Sequence, residues 1–247
     1  MEMTNSSSRR NFFSKAALTT AGAIFLSNMD ISASTEDNLS PEQQIFKHIS
    51  PNFGKSVGVF GGSLSAMEAS KTAKNIWSEK LNLKVFTYGR GGAGFGIQEA
   101  NPQNNMVVQA EGADVHDIYI LWASTNDHSK KIPVGEVRSN DLNTQAGGIR
   151  KSVEILQTKN PDAKIYFFTS LPMFKTENTL DEYVKGQKAV CADLHIPVLD
   201  QFYTCGFNQW NAPYFYREDL KHLTEKGYTR IAEMQVAFLA NPLSGNF

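Results

Sequence analysis

Ser56-Val57-Gly58-Val59-Phe60-Gly61-Gly62-Ser63-Leu64-Ser65 joins a short apolar run to two glycines and a serine. The run is too short for a helix and is bounded by turn residues, so Ser56–Phe60 reads as a buried strand. The glycines allow a tight turn. From Leu64 to Leu81 apolar residues recur at three- and four-residue spacing, which predicts a helix. The same alternation continues outward. Strands are expected at Leu83–Tyr88, Ile118–Trp122, Lys164–Thr169 and Ile196–Leu199, and helices at Asp141–Lys159, Leu180–Leu194 and Thr224–Leu239. Pro161 and Pro197 punctuate the returns from helix to strand. Strands that alternate with helices call for right-handed crossovers and a parallel sheet. The fold class is therefore α/β, a three-layer α/β/α sandwich around a five-stranded parallel sheet of the flavodoxin-like kind.

In open sheets of this type ligands bind beyond the carboxyl ends of the strands, so residues that act together should follow strands. Ser63 follows the first strand and opens a helix, where unpaired N–H groups and the helix dipole favour negative charge. Taken alone, a serine there is also an ordinary helix cap. Gly89-Arg90-Gly91-Gly92-Ala93-Gly94 follows the second strand and lets backbone approach a ligand. It lacks the Lys-Ser/Thr pair of a phosphate-binding loop. Ser124-Thr125-Asn126-Asp127 follows the third strand, where the Asn126 amide is a candidate oxyanion donor or else half of a common turn pair. Near the C-terminus, Asp219-Leu220-Lys221-His222 sets a carboxylate three residues before an imidazole. There Asp219 can hold one ring nitrogen while the other faces Ser63, the logic of a nucleophile triad.

In this order and placement the chain resembles the SGNH (GDSL-like) hydrolases, whose blocks carry Ser, Gly, Asn and His. The most specific match is Asp219-Leu220-Lys221-His222-Leu223-Thr224-Glu225-Lys226-Gly227-Tyr228. The resemblance implies a serine esterase with catalytic Ser63, Asp219 and His222, and an oxyanion hole from Ser63, Gly92 and Asn126. It implies neither cofactor nor metal. Two positions depart from the family pattern: Gly62 stands where the family has Asp in Gly-Asp-Ser-Leu, and Ser124 stands where its third block begins with Gly. The altered Asp also keeps open a non-catalytic carbohydrate-binding relic of the fold.

The N-terminus has its own character. Arg9-Arg10-Asn11-Phe12-Phe13-Ser14-Lys15 precedes an apolar run of eleven residues, Ala16 to Leu26, and then Ser32-Ala33-Ser34. Charged, apolar and small-residue regions in that order describe an export signal, and the arginine pair resembles the twin-arginine type. A bilayer-spanning helix needs about 20 apolar residues. Residues 1–34 are therefore expected as a signal peptide, 35–50 as a linker and 51–247 as the hydrolase domain, with the mature protein periplasmic or extracellular and not held in the membrane.

A net charge of −1, with 20% charged residues and no basic block, excludes a nucleic-acid partner on electrostatic grounds. The partner expected is a small-molecule or glycan ester. Phe207, Trp210, Tyr214, Phe215 and Tyr216 make the segment before the Asp/His pair unusually aromatic. Such rings can stack on a sugar or line an acyl pocket, and can equally pack a long loop onto the domain. Trp210, Tyr214 and His128 are the candidate substrate contacts. Removal of acetyl groups from a glycan is the favoured reaction, with lipase or thioesterase action on acyl chains as the alternative. Cys191 and Cys205 are the only cysteines and fit either a disulfide or two buried thiols.

Overall fold

A computed structural model describes residues 39–174 and 180–242. The expected signal peptide lies outside the described residues. By its contacts the chain divides into two units, residues up to Ile45 and residues from Phe46 onward. In the stretch expected as linker, α1 (Pro41–Ile49) begins with a reciprocal cap. Ser40 Oγ accepts from Gln43 N at 3.2 Å, and Gln43 Oε1 accepts from Ser40 N at 2.9 Å. Each side chain satisfies an N–H that the helix itself leaves open.

The larger unit is built on five parallel strands: β1 (Ser56–Gly61), β2 (Lys84–Thr87), β3 (Ile118–Trp122), β4 (Lys164–Phe168) and β5 (Val198–Leu199), in the order β2-β1-β3-β4-β5. Sequence and structure agree on all five. Side chains alternate along a strand, so each strand supplies two cores. On one face Val57, Val59, Ile118, Ile120, Trp122 and Phe168 pack with Ala73, Trp77 and Leu81 of α3 (Lys71–Leu81) and Ile231, Val236 and Leu239 of α10 (Glu225–Ala240). On the other, Phe60, Tyr119, Leu121 and Phe167 meet α4 (Met106–Glu111), α6 (Gln145–Lys159) and α7 (Leu180–Asp193). This is the three-layer sandwich expected.

Two expectations need correction. The helix expected over Leu64–Leu81 is broken into α2 (Ser63–Ala66), a 3-10 turn at Glu68–Ser70, and α3. The break falls at Met67, whose backbone is extended (φ −65°, ψ 151°). Ser70 Oγ binds the carbonyls of Met67 at 2.6 Å and Ser65 at 3.0 Å, a side chain competing with the helical ladder. The helix expected from Asp141 begins instead at Gln145, because the Thr144 hydroxyl caps it by accepting from Gly147 N at 3.1 Å. Four short helices had no periodic signal: α4, α5 (Asn126–Ser129), α8 (Gln201–Thr204) and α9 (Ala212–Phe215).

Both cysteines are free and buried, which decides between the two readings of that pair. Burial pushes both thiols above the ordinary thiol range. No helix among the described residues is long and apolar enough to cross a membrane.

Candidate active site

Because β2, β1 and β3 are neighbours, the glycine loop, Ser63 and Asn126 leave the sheet side by side at its carboxyl edge. Ser63 is the first residue of α2, and Gly62 precedes it with no side-chain cap. The bond that a capping serine would make is thus not its role here. Its Oγ lies 2.8 Å from His222 Nε2, and His222 Nδ1 lies 2.5 Å from Asp219 Oδ2. Asp219 Oδ1 also accepts from the backbone N–H of His222 at 2.9 Å and of Lys221 at 3.0 Å. Burial would raise this carboxyl, but these hydrogen bonds outweigh it and hold it down at about 2. It is therefore ionised and fixes a proton on Nδ1, which leaves Nε2 to accept from the serine hydroxyl.

The local backbone makes this possible. Leu220 takes a left-handed conformation (φ 51°), uncommon for a residue with a branched side chain, and turns both following N–H groups back onto Asp219. Arg217 N donates to His222 O at 2.7 Å, and Tyr216 pairs with Leu223 across an antiparallel bridge, closing the loop at its base. Thr224 then caps α10, with its hydroxyl accepting from Gly227 N.

Asn126 is the first residue of α5 and is buried. Its Nδ2 donates to Ala93 O at 2.9 Å, which ties the end of β3 to the glycine loop. Gly92 occupies left-handed backbone (φ 79°) at the turn of that loop. Its carbonyl accepts from Gln98 Nε2 at 3.0 Å and Lys130 Nζ at 2.9 Å.

The two departures from the family pattern are in contact. A Cβ built on Gly62 would stand 2.6 Å from Ser124 Cβ, 2.7 Å from Asn126 Nδ2 and 2.8 Å from Ala93 O. Position 62 has no room for any side chain, because Ser124 and Asn126 fill the space. Ser124 Oγ meanwhile donates to Ala93 O at 2.7 Å and accepts from Asn126 N at 3.2 Å. The hydroxyl thus ties the glycine loop to the backbone of the asparagine.

These positions match a known family along most of their length. The sequence profile described as GDSL-like lipase/acylhydrolase matches residues 59–230. The chain belongs to the GDSL-like lipase/acylhydrolase family. It is accordingly an ester-bond hydrolase. Comparison with curated protein sequences gives no match. Among solved structures it is similar to a protein from Lactobacillus plantarum (20% identity, TM-score 0.66, 78% of this chain and 98% of that one). It is also similar to a protein described as a possible lipase from Chitinophaga pinensis (20%, 0.56, 74% and 97%). A third is a catalytic mutant of an acetylxylan esterase from Geobacillus stearothermophilus (12%, 0.53, 76% and 94%). At these identities the likeness is one of fold.

The other candidate positions divide. His128, half-buried on α5, sets its ring edge-on to Tyr183 at 5.3 Å between centroids. Burial first, and then the nearby Lys221 charge, lower its pKa. Of the aromatic segment, Phe207, Phe215 and Tyr216 pack on one another, while Trp210 and Tyr214 are 78% and 73% exposed. His116 is buried far from the serine, at the start of β3, where it meets Tyr88 Oη at 2.7 Å. Among the described residues no group of three or more His, Cys, Asp or Glu side chains could hold a metal ion.

Sequence inspection missed the residues that brace these loops. Gln109 binds both the N–H and the carbonyl of Gly61, each at 3.0 Å. Asp127 is fully buried and accepts from Phe95 N at 2.9 Å and Gly96 N at 3.0 Å, with burial raising it to about 6. The adjacency of Asp127 to Asn126 was the one available signal, and an Asn-Asp pair reads first as a turn.

Proposed function

We propose that the chain hydrolyses its ester through an acyl-enzyme on Ser63, and that its natural reaction is removal of acetyl groups from a glycan. His222 Nε2 takes the Ser63 proton as Oγ attacks the carbonyl carbon. The leaving alcohol then departs with that proton, and a water activated by the same nitrogen releases the acid and regenerates the serine. Asp219 holds the imidazole in the required tautomer and stabilises the imidazolium. The oxyanion is held by the N–H groups of Ser63 and Gly92 and by Asn126. An amide nitrogen carries two hydrogens, so Asn126 can serve the oxyanion with one while the other stays on Ala93 O. The observation that carries this reading is the continuous chain from Ser63 Oγ through His222 to Asp219, at 2.8 and 2.5 Å.

The acetyl-glycan assignment draws on two further points. The fold accommodates an acetylxylan esterase in another organism. Trp210 and Tyr214 are exposed on the segment that leads into the Asp219–His222 loop, and flat rings of this kind stack on sugars. Residues 1–34 would export the protein to where such glycans lie.

Covalent labelling by a fluorophosphonate, lost in Ser63→Ala, tests the nucleophile; an unlabelled native protein would support the non-catalytic relic instead. A hydrolysis panel from acetyl to long-chain esters, and then across acetylated polysaccharides, tests the substrate. Preference for long acyl chains would overturn the acetyl assignment and favour a lipase.

A further inference from the structure

Among the described residues Lys74 is the one lysine that is buried, 8% exposed on α3, and the chemistry above gives it no part. Its ammonium donates to Ser65 O and to Thr87 Oγ1, each at 3.0 Å. Thr87 ends β2, the strand that leads into the glycine loop. Ser65 lies in α2, two residues after the nucleophile.

α2 has only four residues, and a helix of one turn does not hold itself in water. Its first carbonyl is used within the turn, and the next two are taken up from outside. Ser63 O accepts from Met67 N at 2.9 Å, Leu64 O from Tyr228 Oη at 2.8 Å, and Ser65 O from Lys74 Nζ and Ser70 Oγ. Lys74 is the only cation in that set, and it sits at the negative end of the α2 dipole, where positive charge is favoured.

The site is costly. No carboxylate of a described residue is in salt-bridge contact with Lys74, and the charges that face it are Lys71 and Glu68, paired with each other at 2.8 Å. Burial first, and then Lys71, lower its ammonium to about 8, against a smaller opposing effect of Glu68. A lysine kept only for stability would be better replaced by an apolar side chain of similar length.

Resting on the serine-esterase reading above, we propose that Lys74 is a positioning residue: by gripping Ser65 O and Thr87 it fixes the nucleophile turn, and with it the Ser63 hydroxyl and N–H, against His222 and the glycine loop. Lys74→Met keeps the length and removes the charge and the donors. Turnover of 4-nitrophenyl acetate should fall about tenfold with KM within twofold, and the rate of fluorophosphonate labelling should fall with it. The thermal midpoint should hold or rise, because the desolvated charge is gone. In the native protein kcat should decline as pH rises through about 8, and in Lys74→Arg that decline should move upward by at least one pH unit.

Turnover in Lys74→Met within twofold of native would overturn the proposal. So would a loss accompanied by a matching fall in thermal midpoint, which marks a structural role. Should Lys74→Met not fold, an unmoved alkaline limb in Lys74→Arg would overturn it. A native protein that neither hydrolyses the ester nor takes the label would instead sink the esterase reading itself, so the two failures are distinct.

Discussion

Gly62→Ala adds a single methyl group beside the nucleophile, and the structure says what it would meet. The new carbon would lie 2.6 Å from Ser124 Cβ, 2.7 Å from Asn126 Nδ2 and 2.8 Å from Ala93 O, all well inside van der Waals contact. The asparagine is the end of a flexible side chain and will yield first. The Ala93 carbonyl is backbone and is already fixed by Ser124 Oγ and Asn126 Nδ2. Overpacking of this kind costs about 1–3 kcal/mol of stability. Displacing Asn126 removes one oxyanion donor, worth about 2.7–4 kcal/mol in the transition state, or roughly a hundred- to a thousandfold in kcat. Steady-state hydrolysis of 4-nitrophenyl acetate, alongside thermal unfolding, measures both effects. Adding Ser124→Gly removes one of the three collisions, so the double variant should recover part of the lost stability and fall short of native activity. The energies of the two changes should therefore not add. A Gly62→Ala protein with kcat within threefold of native and an unshifted thermal midpoint would refute the account of how the nucleophile turn and the asparagine share this space.

Further expectations follow from the same geometry. Asn126→Ala should leave a folded protein with kcat lowered about a hundred- to a thousandfold on a simple acetyl ester; full turnover would remove Asn126 from the oxyanion hole. Gly92→Ala meets no side-chain collision, its nearest neighbours being Asn104 Nδ2 at 3.4 Å and Lys130 Nζ at 3.7 Å, but its φ of 79° should cost about 1–2 kcal/mol of stability. Gly91→Ala, with nothing within 4 Å of the added carbon, should unfold close to the native temperature, and equal stabilities of the Gly91→Ala and Gly92→Ala variants would undo that argument. For pH, the folded Asp127 carboxyl stands at about 6 against an unfolded value of about 3.9, so between these values the native state binds the extra proton. Its contribution to stability is greatest below pH 4 and declines by about 3 kcal/mol as pH rises through 6. The lowered His116 and His128 act in the opposite sense, losing stability as pH falls through the imidazole range. The term for Asp127 is therefore read as the difference between native and Asp127→Asn denaturation curves, which should vary with pH between 4 and 6 and be flat above.

The sheet was legible because buried strands are short apolar runs closed by turn residues, and the strands matched to within two residues at each end. The active-site order was legible for a related reason: in a parallel sheet each strand delivers its last residues to the same edge, so Ser63, Gly92 and Asn126 could be grouped before any distance was known. What stayed hidden was of two kinds. Helices of four to six residues, such as α5 beneath Asn126, are too short to show a 3.6-residue period, and the break at Met67 leaves that period running on through α3. Buried charge was the other. Lys74 and Asp127 look like solvated surface in a sequence, where only the expected exposure of lysine and aspartate can be used. In the fold one grips the nucleophile turn by a carbonyl and the other grips two N–H groups just after the glycine loop.

Gly62 and Ser124 show why the residues of a site cannot be scored one by one. Taken along the chain they are two unrelated departures from the family pattern, 62 positions apart, and each weakens the match. In space they are one arrangement. The side chain missing at 62 makes the room that the Ser124 Cβ and the Asn126 amide occupy, and the Ser124 hydroxyl reaches the Ala93 carbonyl and the Asn126 N–H. Two positions far apart in the chain can therefore depart from a family pattern as one packing arrangement. The double variant described above distinguishes such an arrangement from independent decay, because only coupled positions give energies that fail to add.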